Sequence, residues 1–227
     1  MRIRQESISD QVYRLLCEDI RAGRLQPGER IVEEKIAAEL GVSKTPLRLA
    51  LHQMKRDGLV RVVGRSGTYV ATPSLTEVLE LMELRGVLEG LAVARMTRTG
   101  RKVEYLTKIK ACLARFDENT VNEHRREFAA SDLQFHRLLV LGSRSRELIN
   151  ATETLSLRLH LNRLRKTMSD QHDLRSVHRE HLTIVDAVEA GNATLAENLV
   201  RAHIRSIAVR EISSIPESES ADQPHSE

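Results

Sequence analysis

Four side chains in three separate stretches have the types and spacing of a metal centre. Asp132 and His136 stand four residues apart in RREFAASDLQFHRLLVL, on the side of a helix that also carries Phe128, Phe135 and Leu139. On a helix that spacing brings two side chains together. His181 lies within an apolar stripe of Val177, Ile184, Val185 and Val188, and His203 is surrounded by Leu199, Val200, Ile204 and Ile207. A carboxylate pointing into a core is costly unless it is partnered. One Asp and three His converging would bind a divalent transition metal such as zinc, nickel or manganese, with positions left for water or a ligand carboxylate. Two other readings of these residues stay open: hydrogen-bonded core histidines with a structural role, and a metal-dependent hydrolase that activates a bound water. Against the hydrolase, no nucleophile or general-base motif accompanies the four. Arg85 also points inward, at helical spacing with Val78, Leu81, Leu88 and Ala92. One reading of it is an internal ion pair with Glu89 or Asp132.

A second group carries a different chemistry. Between Val42 and Ser66 lie Lys44, Arg48, Lys55, Arg56, Arg61 and Arg65, opposed only by Asp57. Residues 1–73 hold 13 Lys and Arg against 9 Asp and Glu, whereas the remainder holds 22 against 23. A basic segment inside a near-neutral chain points to a polyanion partner for that segment. Leu47, Ala50, Leu51 and Met54 give a helix starting near Ser43 one apolar face, and Lys44, Thr45 and Arg48 fall on the other. The planar fork of Arg48 matches guanine O6 and N7. Ser43, Thr45 and the free N–H groups of the helix start match phosphate oxygens. Arg65 sits at the tip of a hairpin between Gly64 and Gly67, a shape that fits a minor groove or the phosphate backbone. The candidate DNA contacts are therefore Ser43, Lys44, Thr45, Arg48, Arg65 and Gly67.

Helical periodicity dominates the elements that must position these groups. Ile8, Val12, Leu15, Leu16 and Ile20 mark a first helix, stopped at Gly23. Val32 to Leu40 forms a second, ended by Gly41. Ser43 caps a third, which runs to Asp57-Gly58. LVRVVGRSGTYVA then reads as a β-hairpin around residues 64–67. Ala71-Thr72-Pro73 links this head to a run of helices, opened by the capping box of Ser74 and Glu77. Their predicted spans are 75–97, 101–117, 121–142, 146–167, 174–190 and 193–213. The expectation is a mainly α chain: a winged helix-turn-helix over 1–72, a linker at 73–75, an all-α antiparallel bundle for effector binding and dimerisation over 76–213, and a polar, disordered tail over 214–227.

Composition agrees with helices. The 227 residues include no Trp, three Phe and three Tyr, so aliphatic side chains must fill the interior. Cys17 and Cys112 fall in separate helices with nothing to pair them, as in a reducing compartment. The N-terminal residues lack the apolar core of a signal peptide, and no run is long enough to span a membrane. The expected setting is the cytoplasm, without membrane contact.

GRLQPGERIVEEKIAAELGVSKTPLRLALHQMKRDGLVRVVGRSGTYV resembles the winged helix of the GntR superfamily, with Lys44 in place of the usual Arg and Leu49 in place of the usual Glu. RREFAASDLQFHRLLVL and VHREHLTIVDAVEAGNATLAENLVRAHIRSI resemble the FCD effector domain of the FadR subfamily. In metal-binding members of that subfamily the positions matching Asp132, His136, His181 and His203 are the ligands. The pattern around Leu81 to Glu89 places Arg85 as an effector anchor. Arg144-Ser145 stand where the family often has Gly-Asn, and Asn192 replaces a usual Asp. The resemblance implies a non-enzymatic transcriptional regulator, more often a repressor. It would grip a palindromic double-stranded operator as a homodimer and respond to a small carboxylate bound beside a metal.

Overall fold

The structure is a computed structural model and describes residues 6–99, 102–165 and 173–213. The elements are α1 (Ile8–Arg21), β1 (Arg30–Ile31), α2 (Glu33–Leu40), α3 (Lys44–Arg56), β2 (Val60–Val63), β3 (Gly67–Val70), α4 (Leu75–Arg98), α5 (Lys102–Leu113), α6 (Arg125–Gly142), α7 (Arg146–Arg165), α8 (Leu174–Glu189) and α9 (Ala193–Ser213). They divide into two units, one holding residues 6–78 and 153–165, the other 79–152 and 173–213. The tail predicted over 214–227 lies outside the described residues.

In the first unit, Ser7 and Asp10 close a capping box that starts α1. Val12, Leu16, Cys17 and Ile20 form its buried face, while Ile8 and Leu15 stay exposed. Gly41 takes a left-handed φ of 64°, which a residue without Cβ adopts without steric cost, and so turns α2 sharply into α3. Leu47, Ala50 and Met54 of α3 are fully buried against α1 residues and Leu59. The three strands form an antiparallel sheet in the order β1-β3-β2, with Arg30 opposite Tyr69 and Val62 opposite Thr68. Strand β1, two residues long, is too short to leave a periodic signal in the sequence. Leu157 and Leu161 of α7 also belong to this core. Thus α7, expected wholly within the effector bundle, contributes its second half to the N-terminal unit.

The second unit contains α5, α6, α8, α9 and most of α4. Ser74 accepts from the Glu77 N–H, and the Glu77 carboxylate accepts from the Ser74 N–H, so the predicted capping box opens α4. Asp173 caps α8 by accepting from the Arg175 N–H, and Asn192 Oδ1 accepts from the Leu195 N–H at the start of α9. Helix α6 begins four residues later than its pattern predicts, because residues 121–123 are taken up in a turn and His124 stands at the N-cap. Its buried face carries Phe128, Phe135, His136, Leu138 and Leu139. No helix among the described residues is long and apolar enough to cross a membrane.

Candidate functional site

Asp132 and His136 on α6, His181 on α8 and His203 on α9 project to one point inside the second unit, with one ligand atom from each lying within 4.8 Å of all the others. The contacts close a ring. His136 Nε2 lies 3.5 Å from Asp132 Oδ1, His203 Nε2 3.3 Å from His136 Nε2, His181 Nε2 3.2 Å from His203 Nε2, and Asp132 Oδ1 3.4 Å from His181 Nε2. Bonds of about 2.0–2.2 Å to a single ion set neighbouring ligand atoms roughly 3.0–3.6 Å apart, so the donor spacing fits such an ion. The three imidazoles are almost wholly buried, and His181 is completely so.

Two carboxylates hold the rings in place. His136 Nδ1 donates to Glu89 Oε2 on α4 at 2.6 Å, and His203 Nδ1 donates to Glu180 Oε2 on α8 at 2.5 Å. Because an ionised carboxylate only accepts, Nδ1 carries a hydrogen in both rings, and in the neutral form each Nε2 presents its lone pair to the cluster. At 3.3 Å two such lone pairs repel unless a proton on one ring or a cation lies between them. That donor chemistry suits a cation. Phe135 stacks on His181 with centroids 4.0 Å apart and an angle of 20°, and so fixes the plane of the ring whose Nδ1 has no carboxylate partner among the described residues. His181 Nδ1 is buried and makes no hydrogen bond among the described residues.

The charge states follow from this packing. Burial depresses the His181 imidazole well below its ordinary range and also lowers His203 despite its bond to Glu180. Both are therefore neutral near pH 7, as metal ligands must be. For His136, burial opposes protonation most strongly, but the Glu89 and Asp132 charges together raise it. Burial likewise pushes Glu89 upward, and Arg85 and His136 outweigh it, holding its carboxyl down to about 2.

Arg85 is buried and its Nε donates to Glu89 Oε1 at 2.7 Å. The internal ion pair with Glu89 is therefore present, in line with one of the two readings of Arg85. Yet Arg85 Nη1 is buried without a hydrogen-bond partner among the described residues, so the guanidinium keeps a donor in reserve. Sequence reading missed Glu89 and Glu180 as partners of the ligand histidines. Glu180 directly precedes His181, so the signal was present but pointed to no particular role. Arg210 and Ser206 donate to Glu180 from α9 and complete that arm.

In the first unit, Ser43, Lys44, Thr45 and Arg48 are exposed at the start of α3, and Arg65 is exposed in the β2–β3 turn. Gly67, half-buried with φ of 121°, opens β3. Ser43 stands at the N-cap, but its side chain makes no capping bond. Leu49 is 59% exposed on the same outward side. Lys44 and Arg48 are not bare cations: Lys44 pairs with Glu34, and Arg48 Nε donates to Glu33 Oε2 at 2.7 Å.

A helix-turn-helix with a β-wing, joined to a helical unit, defines the class of two-domain DNA-binding regulators. Comparison with known proteins makes this specific. Residues 8–70 match the model for bacterial regulatory proteins of the gntR family, and residues 80–206 match the FCD domain. The chain is 30% identical over 203 residues to a probable D-xylose utilization operon transcriptional repressor of Paenarthrobacter nicotinovorans, covering 89% of this chain and 88% of that one. It is also 30% identical over 204 residues to the transcriptional repressor GlaR of Escherichia coli, covering 85% and 90%. The fold is shared with Escherichia coli McbR/YncC, at a TM-score of 0.71 and 20% identity over 93% of this chain and 100% of that chain. A putative GntR regulator from Rhodococcus sp. RHA1 matches at the same TM-score and coverage with 24% identity. The chain belongs to the GntR family, with an FCD domain behind its DNA-binding head, and is a DNA-binding transcriptional regulator rather than an enzyme.

Proposed function

We propose that this regulator is a cytoplasmic, homodimeric repressor whose hold on a palindromic operator is set by a small carboxylate effector beside a divalent transition metal. The observation that carries this reading is the ring of three Nε2 atoms and Asp132 Oδ1, with two of the imidazoles locked by Glu89 and Glu180. Asp132, His136, His181 and His203 would hold the ion, which when bound supplies Lewis-acid affinity for an effector carboxylate. Arg85 contributes the spare Nη1 donor and selects for negative charge. The named repressors among the relatives support the direction of control.

At the DNA, Arg48 reads a guanine, while Ser43, Lys44 and Thr45 contact phosphates and base edges at the start of α3. Arg65 and the backbone at Gly67 reach the neighbouring groove. Leu49 offers the apolar contact that suits a thymine methyl group. A dimer is supported by the exposed stripe of Leu84, Val87 and Leu91 on α4, which recurs at helical spacing and would be covered by a second copy.

Elemental analysis before and after chelation tests the centre, and about one equivalent of metal per chain is expected. Operator titrations on metal-loaded protein, with a panel of carboxylates and sugar acids, test the switch. A coupling of ~1–3 kcal/mol would change operator affinity by about 5–150-fold. Metal-free protein, or an operator affinity indifferent to every metal and acid, counts against the reading.

A further inference from the structure

The outward face of α3 holds an arginine whose donors are divided between two directions. Arg48 is 66% exposed and gives its Nε hydrogen to Glu33, which lies in the first turn of α2 and is 26% exposed. The terminal nitrogens of that guanidinium make no hydrogen bond among the described residues. The pair lines a groove of about 180 Å³ together with His52 and Lys55 of α3 and Val62 and Thr68 of the wing. Bidentate pairing with guanine needs two parallel donors held at a fixed angle. An unrestrained, exposed arginine would lose rotamer freedom on reaching that geometry, and a partner that holds it beforehand removes part of this cost.

We propose that Glu33 is a positioning residue for base recognition. By accepting from Nε it aims the terminal fork of Arg48 outward toward a guanine, and its negative charge weakens binding to every other duplex. The proposal rests on α3 being the recognition helix. It separates from simple charge repulsion because the neighbouring Glu34–Lys44 pair provides an internal control. A lysine ammonium is a rotatable point charge with no fork to orient, so Glu34 can affect affinity but has no direction to set.

The test uses the full-length protein and duplexes selected from a random-sequence pool, with the selected site, its single-base-pair variants and a mixed-sequence duplex as probes. For Glu33→Ala, which removes both the acceptor and the charge, affinity for the mixed-sequence duplex should rise about 2–5-fold, because one negative charge no longer opposes the phosphates. At one G·C pair in each half-site, discrimination of about tenfold or more should fall below about threefold. Arg48→Lys should erase discrimination at that same pair. Glu34→Ala should strengthen binding to all probes and leave discrimination unchanged. Retained G·C discrimination in Glu33→Ala overturns the proposal, as does an equal loss on all probes. So does a Glu34→Ala variant that loses the same discrimination. If Arg48→Lys changes no base preference, the recognition helix itself is misassigned, and Glu33 falls with it.

Discussion

Glu89 and Glu180 give His136 and His203 a property that neither ring has alone, a fixed assignment of which nitrogen carries the hydrogen. Partners of this kind typically change metal affinity by ~10–100-fold. Glu180→Gln and Glu89→Gln should each weaken metal binding within that range, read by competition with a chromogenic chelator. The larger loss is expected at Glu89, because its removal also strands the buried Arg85 without its ion pair. In the head, Arg48→Ala should abolish sequence-specific binding, whereas Arg65→Ala should weaken binding evenly across sequences. Measured side by side on a selected site and on mixed-sequence duplex, the two variants should differ in the ratio of affinities rather than only in their size.

At the scale of elements, the end of α6 is where close packing and backbone conformation meet. A Cβ on Gly142 would lie 2.1 Å from Met96 Sδ and 2.7 Å from Met96 Cγ, and Met96 is fully buried in α4. Gly142→Ala should therefore destabilise the protein by ~1–3 kcal/mol, the usual cost of overpacking, measured by urea denaturation. Two residues later Arg144 has a φ of 50°, the left-handed region that disfavours a side chain with Cβ. This is the position where the family often has Gly-Asn. Arg144→Gly should stabilise by about 1 kcal/mol in the same measurement, the relief of backbone strain exceeding the added freedom of the unfolded chain. The two glycine-related substitutions thus have opposite signs within one turn.

For the whole molecule, a ligand that binds only the folded state stabilises by about 2.7 kcal/mol at a concentration one hundred times its Kd. Metal added to chelator-treated protein should raise Tm, and His181→Ala should remove that shift while leaving the fold and basal DNA binding in place. Introducing a charge into the α4 stripe, as in Leu84→Asp or Leu91→Asp, should convert the expected dimer to monomer in sedimentation. It should also lower operator affinity while single half-site contacts survive, since a palindrome is gripped by two heads. A monomer at all concentrations for the unaltered protein would exclude that subunit contact.

The sequence by itself determined the local elements, because each rests on signals within a few residues. Ser74 and Glu77 cap α4, Gly41 turns α2 into α3, and the apolar spacing of Leu47, Ala50, Leu51 and Met54 faces α3 inward. It also marked Asp132, His136, His181 and His203 as polar residues on apolar faces. Only the tertiary structure brought α6, α8 and α9 together so that one atom from each of the four meets the others. Only it showed that Glu89, 47 residues from His136, and Glu180, 23 from His203, orient those rings. The same holds for β1, Leu157 and Leu161, whose places depend on partners distant in the chain. Periodicity reports which way a side chain faces along its own helix, but a hydrogen bond between two helices depends on how they pack, and no local pattern records that.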